Sequence, residues 1–510
     1  MHPIWHFGIS HETAVGAVAG KLFAAMKTPN YFLELEMDEA RALGYAIVDR
    51  LLAYQQRLGE LPVVRVKTQE ELRAALWEAL PTQAKTPLSV LDRVEKEILC
   101  STNHETHPRF FAFIPAPSNF VGALAELLRT GYNIFSGSWL EGSGPAIAEL
   151  VTLDWIRQLA GYPESASGTF LSGGSLANLS AVVTARDALL QPDQFTRGVV
   201  YGSDQTHSSI TRAMRILGFQ KHQLRRLPSD DACRLVPDLL RDAVREDRAK
   251  GFAPFCVIAN AGTTNTGAID PLNAIADLCQ QENLWLHADG AYGAAALFSA
   301  EGRALLAGIA RSDSFSLDPH KWLFQPFDCA LLMVRDRRAL RHAFHVREDE
   351  AEYLQDARGR EEEINLWDYS PELTRPFRAL KVWMSLQVFG AEAFAAAIDR
   401  TMGLAEFAEA QLREDPLWEI TSHAQMAVVT FRCAPESWPA ARVDALNRAI
   451  AARMQEEGFA LVLSTGLQGR TVLRLCTINP RTSEEDIAKT AVALGHSARK
   501  AIEDLDKLSA

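Results

Sequence analysis

Cysteine is scarce in this sequence, and long apolar runs are missing. Seven cysteines stand among 510 residues, at positions 100, 233, 256, 279, 329, 433 and 476. They form neither a CxxC pair nor a zinc-ligand spacing, so we expect reduced thiols and no metal site. No eighteen apolar residues follow one another, so no membrane-spanning helix is predicted.

Basic residues are fewer than acidic ones. The chain has 52 Lys and Arg against 64 Asp and Glu, a net charge of −12 at pH 7. That balance argues against nucleic acid or an anionic membrane as a partner. The first residues, MHPIWHFGISHETAV, lack a basic segment followed by an apolar one, so no secretory signal is predicted. A cytoplasmic protein is the expectation.

The middle of the chain carries the clearest structural pattern. From Ile147 to Val334, predicted strands alternate with predicted helices, which is typical of a mostly parallel α/β sheet covered on both faces. Residues 1–118 predict amphipathic helices, which we interpret as an arm lying over a larger domain or a second subunit. We therefore predict three parts: the arm at 1–118, a large domain at 119–380 and a small α/β domain at 381–510.

Two charged residues occur within this α/β pattern, each after an apolar run. Asp289 ends the predicted strand Asn283–Asp289, and Lys321 follows the predicted strand Asp313–Leu317, with a short helix predicted at Ala304–Ala310 between them. A lysine among apolar neighbours tends to lose its proton and become a nucleophile. An aspartate and such a lysine at one sheet edge suit pyridoxal 5'-phosphate (PLP), whose aldehyde needs an amine and whose pyridine nitrogen needs a carboxylate.

Other small and polar residues fall at the same predicted edge. Ser172-Gly-Gly-Ser175 lies where a strand gives way to a helix, a place that can bind phosphate through backbone N–H groups. His207 follows the next strand and could stack on a flat ring. Thr263 and Thr264 end another strand and would allow close approach of a bound ring.

Aromatic residues are concentrated in two segments before the α/β region. Phe113 and Ile114 belong to the segment His107–Pro115, and Trp139 belongs to Asn133–Pro145, predicted to be a loop. Such clusters either join the core or line a pocket, and we predict that these three residues line an apolar substrate pocket.

Five motifs together resemble the group II PLP-dependent decarboxylases, particularly the aromatic-amino-acid branch. They are SGGSLAN (172–178), SDQTHSS (203–209), NAGTTNTGAID (260–270), HADGAY (287–292) and DPHKWLFQPFDC (318–329). They occur in the family's order and at similar intervals, and the resemblance runs from about residue 35 to the end. It implies the aspartate-aminotransferase type of fold (fold type I), PLP as cofactor and a homodimer with sites at the interface.

The resemblance also implies roles for single residues. Lys321 would form the Schiff base, Asp289 would hold the pyridine nitrogen, and His207 would stack on the ring. The other residues implied to line the cofactor site are Gly174, Ser175, Thr264, Ala291 and His320. Asp318 stands where close relatives often have asparagine.

The charged segment 345–369 is predicted to form a flap over the substrate. By the resemblance, Tyr353 in this segment would return a proton to Cα after CO2 leaves. The predicted reaction is decarboxylation of an L-amino acid to an amine, and the resemblance favours an aromatic amino acid. The alternatives are an aromatic aldehyde synthase, which a phenylalanine at 353 would favour, a decarboxylase of glutamate or 2,4-diaminobutyrate, an aminotransferase or lyase of the same fold, and a catalytically silent interaction protein.

Overall fold

The structure, a computed structural model, describes residues 33–345 and 363–507 and divides into two units. The smaller unit consists of the described residues up to Gln56 and of Glu70–Cys100. The larger consists of Arg57–Gln69 and the described residues from Ser101 onward. Between residues 33–345 and 363–507, no helix is both long and apolar enough to cross a membrane.

The smaller unit is built from helices that bury little. They are α1 (Met37–Arg57), α2 (Gln69–Leu76) and α3 (Pro87–Arg93), and none of them contains a buried residue. Arg50 forms ion pairs with Asp92 and Glu95 at 2.5 and 2.8 Å, so polar contacts hold these helices together. Exposed ion pairs contribute little to stability, and without a buried residue these three helices have no apolar core of their own.

A seven-stranded sheet organises the larger unit. Its strands are β1 (Ser167–Leu171), β2 (Gly198–Ser203), β3 (Leu224–Leu227), β4 (Ala253–Asn260), β5 (Trp285–Asp289), β6 (Ser314–Leu317) and β7 (Ala330–Val334). The order across the sheet is β1-β7-β6-β5-β4-β2-β3, and β7 pairs antiparallel with both of its neighbours while the remaining pairs are parallel. The predicted fold class, with its mostly parallel sheet, is confirmed.

Helices precede, separate and follow these strands, and several of them cover both faces of the sheet. They are α4 (Phe120–Gly131), α5 (Trp139–Leu159), α6 (Gly174–Leu189), α7 (Ser208–Ile216), α8 (Pro237–Ala249), α9 (Leu272–Gln281), α10 (Ala300–Leu305) and α11 (Arg337–Phe344). Alternate strand residues enter different cores: Leu286 of β5 packs in the core that includes α8 and α9, whereas Trp285 packs in the core that includes α6 and α7. A strand buried on both faces is therefore apolar almost throughout, which is why the sequence predicts it.

A separate antiparallel sheet follows in the C-terminal part. Its order is β10-β11-β9-β8, formed by β8 (Trp418–Gln425), β9 (Val428–Cys433), β10 (Leu463–Leu467) and β11 (Arg470–Cys476). The accompanying helices are α12 (Ala379–Arg413), α13 (Ala440–Glu457) and α14 (Glu484–Lys507). The helix α12 runs across the predicted domain boundary at 380/381, and the three predicted domain ranges stay predictions.

Two local predictions are wrong. The loop predicted for Asn133–Pro145 is helical from Trp139, because Ser138 caps the helix and the non-helical Gly142 absorbs a kink before Pro145. The helix predicted at Ala304–Ala310 lies earlier, at α10. The predicted range cannot be helical throughout, because Gly308 has a φ of 108°. Strand β8 was not predicted, because its residues are mostly polar and half exposed.

Candidate active site

The ends of three neighbouring strands bring the polar residues of the site together. Asp289 is the last residue of β5, and it pairs in register with Asn260, the last residue of β4. Lys321 lies in the turn after β6, the strand on the other side of β5. Because parallel strands end at the same sheet edge, Asp289 and Lys321 meet there, as the sequence predicts.

These residues line one cavity of about 240 Å³. Its wall includes the eight residues to which the family resemblance gives a place at the cofactor: Gly174, Ser175, His207, Thr264, Asp289, Ala291, His320 and Lys321. Two larger cavities, of about 380 and 490 Å³, have no lysine among the described residues that line them. Chemistry, and not size, therefore distinguishes this site.

The carboxylate of Asp289 is buried and held by several donors. Asn178 donates to Oδ2 at 2.9 Å, while the Ser316 hydroxyl and the Ala291 N–H donate to Oδ1, each at 3.2 Å. Asp289 is only 5% exposed, so these donors replace the water that a surface carboxylate would have. These hydrogen bonds fix the carboxylate in one orientation, and Asp289 lines the cavity.

The surroundings of Lys321 differ from the expected apolar setting. Its Nζ lies 2.8 Å from Oδ2 of Asp318, and the lysine side chain is 24% exposed. Asp318 itself is buried, and its Oδ1 has no hydrogen-bond partner among the described residues. Asp318 therefore provides a counter-ion for the lysine ammonium at the position where an asparagine is common in the resembling family.

The two histidines of the cavity are held in different ways. His207 Nδ1 accepts from the Ser209 N–H at 3.2 Å and lies 2.9 Å from the Ser209 hydroxyl, while the rest of the ring is open to the cavity. His320 Nδ1 accepts from the Cys329 N–H at 3.2 Å. Burial is the main cause that lowers the pKa of each imidazole, and the charge of Asp289 (for His207) or Asp318 (for His320) opposes it more weakly. Both rings are therefore neutral near pH 7.

The start of α6 offers a close-fitting place for a phosphate. A Cβ on Gly174 would lie 2.8 Å from Oδ2 of Asp318 and 3.2 Å from the Cβ of Ala291, so no side chain fits there. The first N–H groups of a helix have no partner within the helix, and its dipole favours an anion. A phosphate cradle, a carboxylate, a lysine and a neutral imidazole in one cavity are the set of groups that PLP requires.

The predicted substrate residues do not line this cavity in the described chain. Phe113 is 59% exposed, and its carbonyl accepts from Arg474. Ile114 packs against the main core, and the Trp139 N–H donates to Asn365 at 2.8 Å as α5 begins. Their assignment to a substrate pocket stays a prediction. Tyr353 lies outside the described residues.

Several residues of the cavity wall were not predicted. Asn178, Asn260, Gly262 and Tyr292 all line it, although each falls inside or beside a quoted motif. For Asn178 a signal existed: it lies four residues after Gly174 on α6, so one helical turn places both on the same face. The Tyr292 hydroxyl is buried and has no hydrogen-bond partner within the part of the chain that the structure describes.

Fold and site together define a PLP enzyme of the aspartate-aminotransferase fold type. The model of the pyridoxal-dependent decarboxylase conserved domain matches residues 70–434, and the chain belongs to this family. PLP as the cofactor and amino-acid decarboxylation as the activity are thereby established, as the sequence predicts.

Known proteins that resemble the chain agree with this assignment. It is 43% identical to an aromatic-L-amino-acid decarboxylase of Bacillus atrophaeus, over 89% of this chain and 94% of that protein. It is 31% identical to a phenylacetaldehyde synthase of Arabidopsis thaliana, over 90% and 95%. A crystal structure of Oryza sativa TDC with PLP and tryptamine superposes with a TM-score of 0.86 at 28% identity, covering 91% of this chain and 99% of the other.

Proposed function

We propose that this chain decarboxylates an aromatic L-amino acid, releasing CO2 and the corresponding amine. The observation that supports the proposal most is the shared cavity of Asp289 and Lys321, lined by the eight predicted cofactor residues. The preference for an aromatic side chain rests on the relatives named above, one of which is 43% identical over 89% of this chain.

Each residue of the cavity then has a task. The backbone N–H groups of Gly174 and Ser175 would bind the cofactor's phosphate, and Lys321 Nζ would hold its aldehyde carbon. Asp289 would accept a hydrogen bond from the protonated pyridine nitrogen, His207 would stack on the ring, and Thr264, Ala291 and His320 would complete the walls.

When bound, PLP supplies an electron sink for the bond between Cα and the carboxylate. Asp289 keeps that sink effective, because its charge favours a protonated ring nitrogen. Asp318, with Oδ2 2.8 Å from Nζ, would stabilise a positive charge on Lys321 whenever that amine is not bonded to the cofactor. Tyr353 would return a proton to Cα, as formation of the amine requires.

The second candidate is an aldehyde synthase, since relatives of this chain carry that name. We favour the amine as product because position 353 is a tyrosine, a residue able to donate the proton.

We also propose a cytoplasmic homodimer. Exposed apolar side chains on α4 and α5 of the larger unit and on the helices of the smaller unit are consistent with contact to a second copy. The six buried cysteines are free thiols, which suits a reducing compartment.

The test of function combines cofactor trapping with a substrate panel. The purified protein should be yellow, and borohydride reduction should fix the cofactor's mass on the peptide containing Lys321. CO2 and amine should form from phenylalanine, tyrosine, tryptophan, DOPA or 5-hydroxytryptophan, and not from D-phenylalanine, the matched control. Turnover of glutamate or 2,4-diaminobutyrate alone would overturn the aromatic assignment, and a colourless protein that takes up no PLP would overturn the enzyme itself.

A further inference from the structure

Three side chains of β5 point toward α6 and carry polar atoms into a buried space. Trp285, His287 and Asp289 alternate along the strand, and Leu286 and Ala288 between them face the opposite core. Asn178 of α6 lies between the last two: its Oδ1 is 3.0 Å from His287 Nε2, and its Nδ2 is 2.9 Å from Asp289 Oδ2. His287 and Asn178 are at most 1% exposed, so water cannot replace these contacts.

Trp285 and Asp289 stand at the two ends of this series of hydrogen bonds, and they determine which group donates in each bond. The Trp285 indole can only donate, and it donates to the Ser314 hydroxyl at 2.9 Å. The Asp289 carboxylate can only accept, so Asn178 must present its amide nitrogen to Asp289 and its oxygen to His287.

The tautomer of His287 follows from that orientation. Its Nε2 carries the hydrogen that is donated to Asn178, and its Nδ1 accepts from the Ser314 hydroxyl at 2.9 Å. Burial is the main cause that lowers the pKa of His287, so the ring stays neutral, as this arrangement requires.

Asn178 also connects to the other flank of the cavity. Its second amide hydrogen is donated to the Ser209 hydroxyl at 2.9 Å. Ser209 in turn donates to His207 Nδ1, which lies 2.9 Å away. One asparagine is thus bonded to the carboxylate proposed for the ring nitrogen and, through Ser209, to the imidazole proposed to stack on the ring.

We propose that Asn178, oriented by His287, is a positioning residue that sets the Asp289 carboxylate to keep the cofactor's ring nitrogen protonated. The inference rests on the proposed function, because it needs Asp289 at that nitrogen. Without His287 Nε2–H, the side-chain amide of Asn178 can rotate by about 180° and present its Oδ1 to the Asp289 carboxylate. The two oxygens then repel each other. Asp289 then rotates, and the ring nitrogen loses its proton.

Two substitutions of His287 separate this role from simple packing. In His287→Gln the amide nitrogen occupies the place of Nε2 and can still donate to Asn178. In His287→Asn the shorter amide reaches only the place of Nδ1, so the bond to Asn178 is lost. Asn178→Leu removes the asparagine, and Asn447→Leu is its control, because Asn447 is equally buried and makes three hydrogen bonds in the C-terminal part, to Cys433 and Val443.

The readout is the ¹⁵N resonance of PLP labelled at the ring nitrogen, recorded on each holoenzyme. Wild type, His287→Gln and Asn447→Leu should show the protonated nitrogen, whereas His287→Asn and Asn178→Leu should move toward the neutral one. In the latter two, kcat should fall on the order of tenfold or more, with a smaller change in KM, as for other residues that orient a reacting group through a second one.

A protonated resonance and unchanged kcat in His287→Asn and Asn178→Leu would overturn the positioning role. Asp289→Asn separates this result from failure of the proposed function. If that variant binds PLP and also keeps the protonated resonance, Asp289 is not at the ring nitrogen, and the role proposed for Asp289 falls together with this inference. If it shifts the resonance while the His287 and Asn178 variants do not, only this inference falls.

Discussion

Single residues of the cavity are constrained by size as strictly as by charge. Gly174 is the clearest case, because a Cβ there would lie within 3.2 Å of both Asp318 and Ala291. Those two neighbours are themselves part of the wall, so neither can move without disturbing Lys321 or the floor of the cavity. Small residues in the motifs SGGS and HADGAY thus leave the volume that the cofactor needs.

The proton donor decides which product leaves the enzyme. If Tyr353 returns the proton to Cα, Tyr353→Phe should still release CO2 but form little amine, because the electron-rich Cα then reacts with oxygen. The product should shift to the aldehyde, with ammonia and hydrogen peroxide, and amine formation should fall on the order of a hundredfold. Amine, aldehyde and peroxide are measured in the same reaction, with Tyr369→Phe as the control tyrosine. An unchanged amine yield would assign the proton to another group.

At the scale of the element, backbone geometry determines where a helix can continue. The helix α12 contains two glycines, of which one has a backbone conformation that other residues avoid and one has ordinary helical geometry. Gly390 has φ 76° and ψ 155°, a conformation open almost only to glycine, so it separates two helical segments. Gly403 lies exposed within regular helix, and nothing is within 4 Å of a Cβ placed there.

The same substitution should therefore act in opposite directions at these two positions. Gly390→Ala should lower the free energy of unfolding by about 1–3 kcal/mol, because alanine is strained at that φ and ψ. Gly403→Ala should raise it by roughly 0.5–1 kcal/mol, because alanine loses less entropy in a helix. Thermal unfolding followed by circular dichroism compares the two variants. Equal shifts would mean that the helix does not break at Gly390 in solution.

Elements also show how far the sequence predicts the structure. The strand ending in Asp289 and the turn carrying Lys321 are predictable, because each follows an apolar run and local pattern suffices. The helical start at Trp139 is not, because Gly142 and Pro145 indicate a loop unless Ser138 is known to cap the helix. The link from His287 to Asn178 joins residues 109 positions apart, which no periodicity shows.

At the scale of the whole molecule, stability should depend on pH through a buried histidine that joins distant segments. His107 Nε2 donates to the Leu61 carbonyl at 3.1 Å, and its Nδ1 accepts from the Arg109 N–H at 3.0 Å. Burial, with a smaller effect of Arg109, lowers the pKa of His107 to about 4. The unfolded chain, with a histidine pKa of about 6.5, therefore binds a proton that the folded chain excludes between these two values.

The sign follows directly. The contribution of neutral His107 is complete above pH 6.5 and is lost as the pH falls through the interval to about 4, up to about 3 kcal/mol in total. In His107→Gln the amide can still donate to Leu61 but does not titrate. The melting temperature should consequently fall less in the variant than in the wild type between pH 7 and pH 4.5. Parallel decreases would mean that His107 is protonated in the folded protein as well.

Exposed apolar side chains lead us to expect that the protein forms a homodimer. In the smaller unit Trp77 is 75% exposed, and in the larger unit Leu127 and Ile147, on α4 and α5, are 59% and 48% exposed. Large exposed apolar side chains are found at protein interfaces, and we propose that each of these is covered by a second copy. We therefore expect the protein to sediment with about twice the mass of one 56.3 kDa chain.

A pair of charged substitutions tests whether α4 and α5 form that interface. Leu127→Glu combined with Ile147→Glu should bury two carboxylates from each copy between the copies, which costs several kcal/mol and shifts the protein toward single chains at micromolar concentration. Val492→Glu is the matched control, because Val492 on α14 is 74% exposed and should stay in water in either state. Sedimentation velocity on the three proteins measures the mass. A wild type that sediments as one chain would contradict the dimer, and an intact dimer in the double variant would place its interface elsewhere.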